Sequence, residues 1–339
     1  MARLSVAIRL IVGALALFCL VALAAPRPAA AQSNPNAAAV SEQQLLNQLK
    51  VIKGLGTIPD TKSYVLEHPA GRDWRQFHTV WLKWIGGVSI LGMLALLVVF
   101  YLWRGKIPIE SGRAGRKIVR FTGFERFVHW LTASTFVILG VTGLNITFGR
   151  ALILPWLGPN AFSAWSEWAK YAHNYLSFAF TLGVVLMFLM WIGQNFPTKA
   201  DVDWLKRGGG MFTKRHGGHP PAWKFNAGQK LLYWFVVIGG AAMIVTGYML
   251  IFPFYGGLTV GNMELASVFH GIVGVMFIAL ILAHIYIGTL GMEGAFEAMS
   301  EGDVDLNWAK EHHSLWVEEE LARERSPKGP GLVTSTPAE

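Results

Sequence analysis

HGIVGVMFIALILAH, residues 270–284, begins and ends with a histidine and has thirteen uncharged residues between them. Such a segment is typical of a helix in lipid, where an ionisable side chain is costly and usually functional. At about 100° and 1.5 Å per residue, the two imidazoles leave nearly the same helix face and lie about 21 Å apart along the axis. One helix would therefore present a histidine near each side of a membrane.

The whole chain has the composition of an integral membrane protein. Its 339 residues are 53% hydrophobic and only 15% charged. Runs of about 20 apolar residues are long enough to cross a bilayer as helices. We find five such runs, at about 79–103, 127–148, 174–195, 231–252 and 268–291. The sequence therefore predicts an all-α integral membrane protein with five spans.

Residues 1–31 have the layout of a cleaved secretory signal peptide. Two arginines precede an apolar run, and a small-residue stretch, PAAAQ, predicts cleavage after Ala31. The alternative is an uncleaved signal-anchor, which two prolines after the run disfavour. The single cysteine, Cys19, lies in this segment. The mature chain would then have no thiol, which excludes disulfides and cysteine-ligated iron–sulfur clusters.

The connections between the runs predict the orientation in a bacterial inner membrane. Residues 104–126 and the connection between the third and fourth runs are rich in Lys and Arg, whereas 149–172 and 253–267 carry almost none. Positively charged loops stay cytoplasmic. The segment 32–78 is then periplasmic and the tail, 292–339, is cytoplasmic. The net charge of +8 thus follows from topology and does not indicate nucleic-acid binding.

Four histidines lie in or beside the predicted spans and form two pairs by depth. His129 and His284 lie towards the cytoplasm, and His173 and His270 lie towards the periplasm. Two imidazoles that face each other across a helical bundle fill both axial positions of a b-type haem. The sequence therefore predicts a four-helix di-haem cytochrome b bundle that carries electrons across the membrane.

Three other roles are conceivable for these histidines. They could only bond one helix to another, as single polar residues in spans often do. Zinc would be underligated by two histidines at each site. A proton-coupled transporter would normally have carboxylates inside its spans, and we find none at depth. Glycines in the spans fit a porphyrin and plain helix packing equally well.

The stretch WKFNAGQKLLYW contains an amide cluster at the predicted cytoplasmic boundary. Asn226 and Gln229 are hydrogen-bonding amides, and Gly228 leaves room for a flat group against the backbone. A quinone head group needs hydrogen bonds to its carbonyl oxygens, which such amides provide. Alternatively, Asn226 only caps the fourth helix, with Gln229 as the partner of a capping box. Both interpretations remain open on the residues alone.

The sequence also resembles a known family, the cytochrome b (gamma) subunit of membrane-bound formate dehydrogenase. The resemblance covers about residues 115–316. It rests on ERFVHWLTA, YAHN, FNAGQK, the His270/His284 pair and the tail GAFEAMSEGDVDLNWAKEHHSLW. It implies two haem b groups, a cytoplasm-side haem ligated by His129 and His284 and an outer haem ligated by His173 and His270. It also implies a quinone, menaquinone or ubiquinone, beside Asn226, Gly228, Gln229 and His284.

The resemblance further implies partners and a direction of electron flow. A molybdenum or tungsten catalytic subunit and an iron–sulfur subunit would oxidise formate outside and pass electrons through the haems to quinone. This chain would be the quinone-reducing subunit and would have no formate-oxidising site of its own. The alternatives are a di-haem cytochrome b of a hydrogenase or thiosulfate-reductase-type complex, or a haem-free membrane scaffold or transporter.

The chain departs from the family by its N-terminal extension. To a four-span core, which we place at 104–291, it adds the signal peptide, the segment 32–78 and a further span at 79–103. The expected role of 292–339, which includes a pair of adjacent histidines, is that of a solvated helix facing a partner. Membrane lipid is an expected partner of the protein, and the extension would either brace the outer subunits or replace a membrane anchor that a partner lacks.

Overall fold

The computed structural model describes residues 69–210 and 219–325. The predicted signal peptide and residues 32–68 lie outside the described residues. The chain divides into two units, Met1–Asp73 and Trp74–Glu339. The described part of the first unit is the start of helix α1 (Pro69–Gln76), and the functional residues discussed below belong to the second unit.

Five helical segments in the described ranges are long and apolar enough to cross a membrane, as predicted. Their main helices are α2 (Leu82–Arg104), α3 (Gly123–Leu152), α4 (Leu154–Trp191), α6 (Ala227–Ile251) and α7 (Val260–Tyr286). A short helix, α5 (Lys199–Lys206), lies in the connection between α4 and α6. Capping boxes begin α3 at Thr122 and α7 at Thr259, which fixes where both helices start.

Two of the predicted loops are largely helical. Helix α4 begins at Leu154, about five turns before the predicted start of its span, and contains a kink at Gly158, where φ is 73°. Helix α7 likewise begins at Val260. The first turns of α4 are polar on one side, and there Trp165 donates a hydrogen bond to Asn145 of α3 at 2.9 Å. A search for continuous apolar runs misses such amphipathic turns.

Small residues set the packing of the bundle. Helix α3 packs along α4, and α6 packs against both α4 and α7. At Gly183 of α4, an added Cβ would lie 2.3 Å from the hydroxyl oxygen of Thr132 on α3. At Gly239 of α6, it would lie 2.7 Å from the ring of Phe277 on α7. Such close approach is typical of membrane helices, whose association depends on packing contacts.

We expect Gly183→Ala to weaken the α3–α4 contact. The new Cβ would also lie 3.2 Å from the Cα of Thr132, so the backbones must separate. Overpacking of this kind costs about 1–3 kcal/mol. Thermal unfolding in detergent, followed by circular dichroism, measures the loss. The matched control is Gly193→Ala, which meets nothing within 4 Å. Equal melting temperatures for the two variants would contradict this account of the packing.

The extra N-terminal span corresponds to α2, which packs on α7. Leu82 is fully buried there, and its side chain occupies the space that a Cβ at Gly271 would need. The opposite face of α2 is apolar and exposed, including Trp84, Val88 and Leu91. An apolar face of this extent on a span is suited to hydrocarbon.

The C-terminal tail covers one end of the bundle, which we call the tail end. Strand β1 (Lys117–Val119) pairs antiparallel with β2 (Asp303–Asp305) of the tail. The tail also forms the short helices α8 (Glu297–Ser300), α9 (Leu306–His312) and α10 (Ser314–Glu324). Arg113, in the connection before α3, forms ion pairs with Glu293 and Glu297. These elements attach the tail to the loops at this end.

The expectation of a solvated tail helix is wrong for residues 292–325. Val304, Trp308, Trp316 and Val317 are buried in the same apolar cluster as Trp191 of α4. The error has a physical reason, since the apolar residues are distributed over elements too short to show a helical or strand period. The tail is therefore part of the folded domain.

Candidate functional site

The structure brings the four membrane histidines together as two pairs. His129 of α3 faces His284 of α7, with ring centres 6.2 Å apart and ring planes at 65°. His173 of α4 faces His270 of α7, with ring centres 6.2 Å apart and ring planes at 67°. The pairing is the one predicted from depth, and α7 contributes one histidine to each pair.

The spacing within each pair fits a metal held between two imidazoles. A metal–imidazole bond is about 2 Å long, and the bonding nitrogen lies roughly 1 Å from its ring centre, so such ring centres stand about 6 Å apart. Both pairs meet this requirement. Within the described ranges, the only group of three or more potential metal-binding side chains lies elsewhere, at the tail end. The pairs therefore suit an ion that takes two protein ligands, as haem iron does.

Threonine hydroxyls fix the ring orientation in one of the two pairs. Nδ1 of His173 lies 2.8 Å from Oγ1 of Thr142, and Nδ1 of His270 lies 2.9 Å from Oγ1 of Thr246. Each hydroxyl also donates to a backbone carbonyl one turn earlier in its own helix. Because a hydroxyl has one hydrogen, its oxygen must accept the Nδ1–H of the histidine. This leaves Nε2 of both rings with a free lone pair for a metal.

Each of these threonines is followed by a glycine that lies against the same imidazole. A Cβ at Gly143 would lie 3.5 Å from Cε1 of His173, and one at Gly247 would lie 3.3 Å from Cε1 of His270. The tripeptide VTG occurs at 141–143 and again at 245–247. Sequence reasoning missed both threonines, although the repeated VTG was a signal that could have identified them.

In the part of the chain that the structure describes, no hydroxyl forms a corresponding hydrogen bond to the other pair, His129 and His284. Nδ1 of His129 is buried and has no hydrogen-bond partner among residues 69–210 and 219–325. The ring of Trp130 contacts His129 edge-on, with centres 5.2 Å apart. The two histidine pairs therefore have the same spacing and different surroundings.

The amide cluster begins α6 and forms a reciprocal cap. Oδ1 of Asn226 accepts from the backbone N–H of Gln229 at 3.0 Å, and Oε1 of Gln229 accepts from the backbone N–H of Asn226 at 3.0 Å. Both bonds use the side-chain oxygens. Within the described part of the chain, neither amide NH₂ group has an acceptor. Capping the helix and donating hydrogen bonds to a ligand are therefore compatible.

The flat group beside Gly228 is an indole of the same chain. A Cβ at Gly228 would lie 2.9 Å from the Trp204 ring, which comes from α5. A buried ion pair holds α5 in place, since Nζ of Lys230 lies 2.7 Å from a carboxylate oxygen of Asp201. The same ammonium donates to the carbonyl oxygen of Phe196 at 3.0 Å. Gly228 therefore contributes close packing of α5 on the start of α6.

A buried arginine fixes the segment that leads into this cap. The guanidinium of Arg120 donates to the carbonyl oxygen of Lys224 and to Nε2 of His313, the latter at 3.0 Å. Nδ1 of His313 in turn donates to the carbonyl oxygen of Trp223 at 2.7 Å. Complete burial lowers the pKa of Arg120 to about 9, so the side chain stays charged at neutral pH. The rings of Phe121, Trp308 and Trp316 surround its charge.

Comparison with known proteins identifies related chains. Residues 120–302, more than half of the chain, match the family model described as prokaryotic cytochrome b561. The chain is 28% identical over 203 residues to the cytochrome b556(fdo) subunit of formate dehydrogenase from Escherichia coli K12, covering 60% of this chain and 92% of that protein.

Two further relatives have similar names. The nitrate-inducible formate dehydrogenase cytochrome b556(Fdn) subunit of the same organism is 26% identical over 218 residues, or 63% of this chain and 98% of the relative. The formate dehydrogenase cytochrome b556 subunit of Haemophilus influenzae is 27% identical over 210 residues, or 60% of this chain and 84% of the relative.

Proposed function

The chain belongs to the prokaryotic cytochrome b561 family, and from this premise we propose that it is the electron-carrying membrane subunit of a formate dehydrogenase complex. The relatives named above are cytochrome b subunits of formate dehydrogenases. The observation that carries the proposal is that four histidines form two facing pairs, His129 with His284 and His173 with His270, each with ring centres 6.2 Å apart.

Each histidine pair would hold one haem b, which supplies one-electron transfer when bound. His129 and His284 would ligate the haem on the cytoplasmic side, and His173 and His270 the haem on the outer side. With two histidines to hold each iron, no ligand site would remain for oxygen, which suits electron transfer. Thr142 and Thr246 would support this haem, because their hydrogen bonds to Nδ1 leave Nε2 of His173 and His270 available to the iron.

Quinone reduction would take place at the tail end. The amide NH₂ groups of Asn226 and Gln229 would donate to the quinone, menaquinone or ubiquinone, near His284. Gly228 would keep α5 packed against this cap. The basic connections at the tail end support a cytoplasmic location for it, and the quinone would take its protons from there.

The partners would stand on the opposite, periplasmic side of a bacterial inner membrane. We propose a molybdenum or tungsten catalytic subunit that oxidises formate and an iron–sulfur subunit that passes its electrons to His173 and His270. Electrons would then cross to His129 and His284 at the tail end. Since protons from formate remain outside, turnover would build a membrane potential.

The first test is a difference spectrum of membranes that contain this protein, with membranes of a matched deletion strain as control. Formate is added anaerobically, and we expect reduction of b haem that is absent from the deletion strain. Haem that dithionite reduces and formate does not would assign the chain to a hydrogenase or thiosulfate-reductase-type partner. The absence of any haem signal from this chain would contradict the proposal and favour a scaffold or transporter.

We expect Thr142→Val to raise the midpoint potential of the outer haem. Valine has the shape of threonine and cannot accept from His173, so the imidazole becomes a weaker donor to ferric iron. A tenfold loss of preference for the ferric state corresponds to about 59 mV in a one-electron couple. Redox titration of the two haems measures the shift. Thr142→Ser keeps the hydroxyl and should titrate as wild type; a Thr142→Val titration equal to wild type would contradict the role of this threonine.

A further inference from the structure

A cluster of metal-binding side chains at the tail end is separate from the histidine pairs. It consists of His219 in the segment before α6 and Glu311 and His312 at the end of α9. One ligand atom from each residue lies within 4.8 Å of the other two. The two imidazole centres are 4.5 Å apart, with ring planes at 70°.

Three of the four imidazole nitrogens of this cluster have no hydrogen-bond partner among the described residues. Nε2 of His312 and both ring nitrogens of His219 are buried and form no hydrogen bond with any described residue. His312 is only 8% exposed. The adjacent His313 differs, because both of its ring nitrogens are hydrogen-bonded, to Arg120 and to Trp223. Buried polar atoms without a partner are rare and call for a ligand that the protein atoms do not supply.

Backbone N–H groups hold the carboxylate of Glu311 in place. Oε1 of Glu311 accepts from the N–H of Ser111 at 2.8 Å, and its Oε2 accepts from the N–H of Glu110 at 3.0 Å. Each oxygen keeps a further lone pair. A second carboxylate oxygen, from Glu110, lies 3.9 Å from Nε2 of His219. Glu311 is thus fixed beside the histidines, with another oxygen donor close by.

We propose that His219, Glu311 and His312 bind a divalent zinc-like cation. Two imidazoles and a carboxylate are a ligand set that zinc takes, with a fourth position left for water or for Glu110.

Binding requires a modest contraction of the cluster. In a tetrahedral zinc site the ligand atoms lie about 3.3 Å apart, so no pair, each within 4.8 Å here, needs to approach by more than about 1.5 Å. The bound ion would join the segment that leads into Asn226 to the C-terminal tail. This proposal does not depend on the haems or on the quinone.

The test is the zinc content of the full-length protein, purified without chelator and dialysed against micromolar ZnCl₂. We expect one tightly held zinc per chain by mass spectrometry of the metals. His219→Ala and Glu311→Gln should each lose it, whereas His78→Ala, in the helical turn before α2, should keep it. Size-exclusion elution and circular dichroism report whether each variant folds. The test therefore requires no measurement of haem content or formate activity.

Two results would overturn the proposal. One is a wild-type protein that holds less than about a tenth of an equivalent of zinc after this exposure, and the other is equal zinc in wild type and both variants. If the variants do not fold, X-ray absorption at the zinc edge of the wild type decides. Two nitrogens and one or two oxygens at about 2.0–2.1 Å support the site, and a shell of oxygens alone would mean an adventitious ion.

Discussion

In His270→Ala the outer haem is expected to be lost, and electron transfer from formate to quinone to fall to background. His173 would keep its bond to Thr142 but would have no second imidazole opposite it, since His270 supplies that ring. The inner pair stays intact, so haem content should fall to about half. Formate oxidation with an artificial dye as acceptor should continue, because we propose that a partner subunit carries it out.

The control for this variant is its neighbour on α7. Phe269 is 53% exposed and contributes nothing to the pair, so Phe269→Leu should keep both haems and full transfer. Full quinone reduction in His270→Ala, despite the loss of half of the haem, would contradict a serial path from the outer pair to the inner pair. Unchanged haem content would contradict the assignment of His270 as a ligand.

Gln229→Glu should slow quinol formation without weakening the start of α6. A glutamate at this position keeps the oxygen that accepts from the backbone of Asn226, and it is a preferred partner in a capping box. It lacks the amide NH₂ that we propose as a donor to the quinone. One lost hydrogen bond worth about 1.4 kcal/mol corresponds to a rate about tenfold lower. Quinol formation is measured with reduced partner subunits, and melting is measured in parallel.

A neutral variant separates this effect from that of an added charge. Asn226→Ser keeps a capping oxygen, because serine caps helices about as well as asparagine, and removes the other amide NH₂. It should slow quinol formation while α6 remains stable. If only the charged variant is slow, the effect is electrostatic and the amides act as a cap alone. Normal kinetics in both variants would lead to the same conclusion.

The histidine pairing was predictable because it depends on local geometry. A helix turns by a fixed angle per residue, so the separation of His270 and His284 places both rings on one face at two depths. Loop charge then assigns His129 and His173 to those depths. No knowledge of side-chain packing between helices is needed for this step. The five spans were predictable for the same reason, since hydropathy is read along one segment at a time.

The partners of the imidazoles were not predictable in this way. Whether Thr142 meets His173 depends on the axial register of α3 against α4, which close contacts such as Gly183 with Thr132 decide. The indole that packs on Gly228 comes from α5, a short helix in a connection, so the sequence left that space open. The axial registers of helices and the positions of loops depend on the packing of the whole structure, so they cannot be inferred from one segment of sequence.

The burial of the C-terminal tail was not predictable from the sequence for a similar reason. Its burial depends on pairing between strands at 117–119 and 303–305, which are far apart in sequence. The adjacent His312 and His313 look alike in sequence. Only the packed structure shows that His313 forms a hydrogen bond with Arg120, whereas Nε2 of His312 has no partner among the described residues.

Helix α7 contributes a histidine to both pairs and is the last of the long helices among the described residues. During synthesis, His129 and His173 enter the membrane well before their partners exist. Neither pair can close until α7 has been inserted, and both become complete within one helix. Both sites therefore form only after α7 has been made, and a ribosome that stops before residue 260 releases a product in which neither pair is complete.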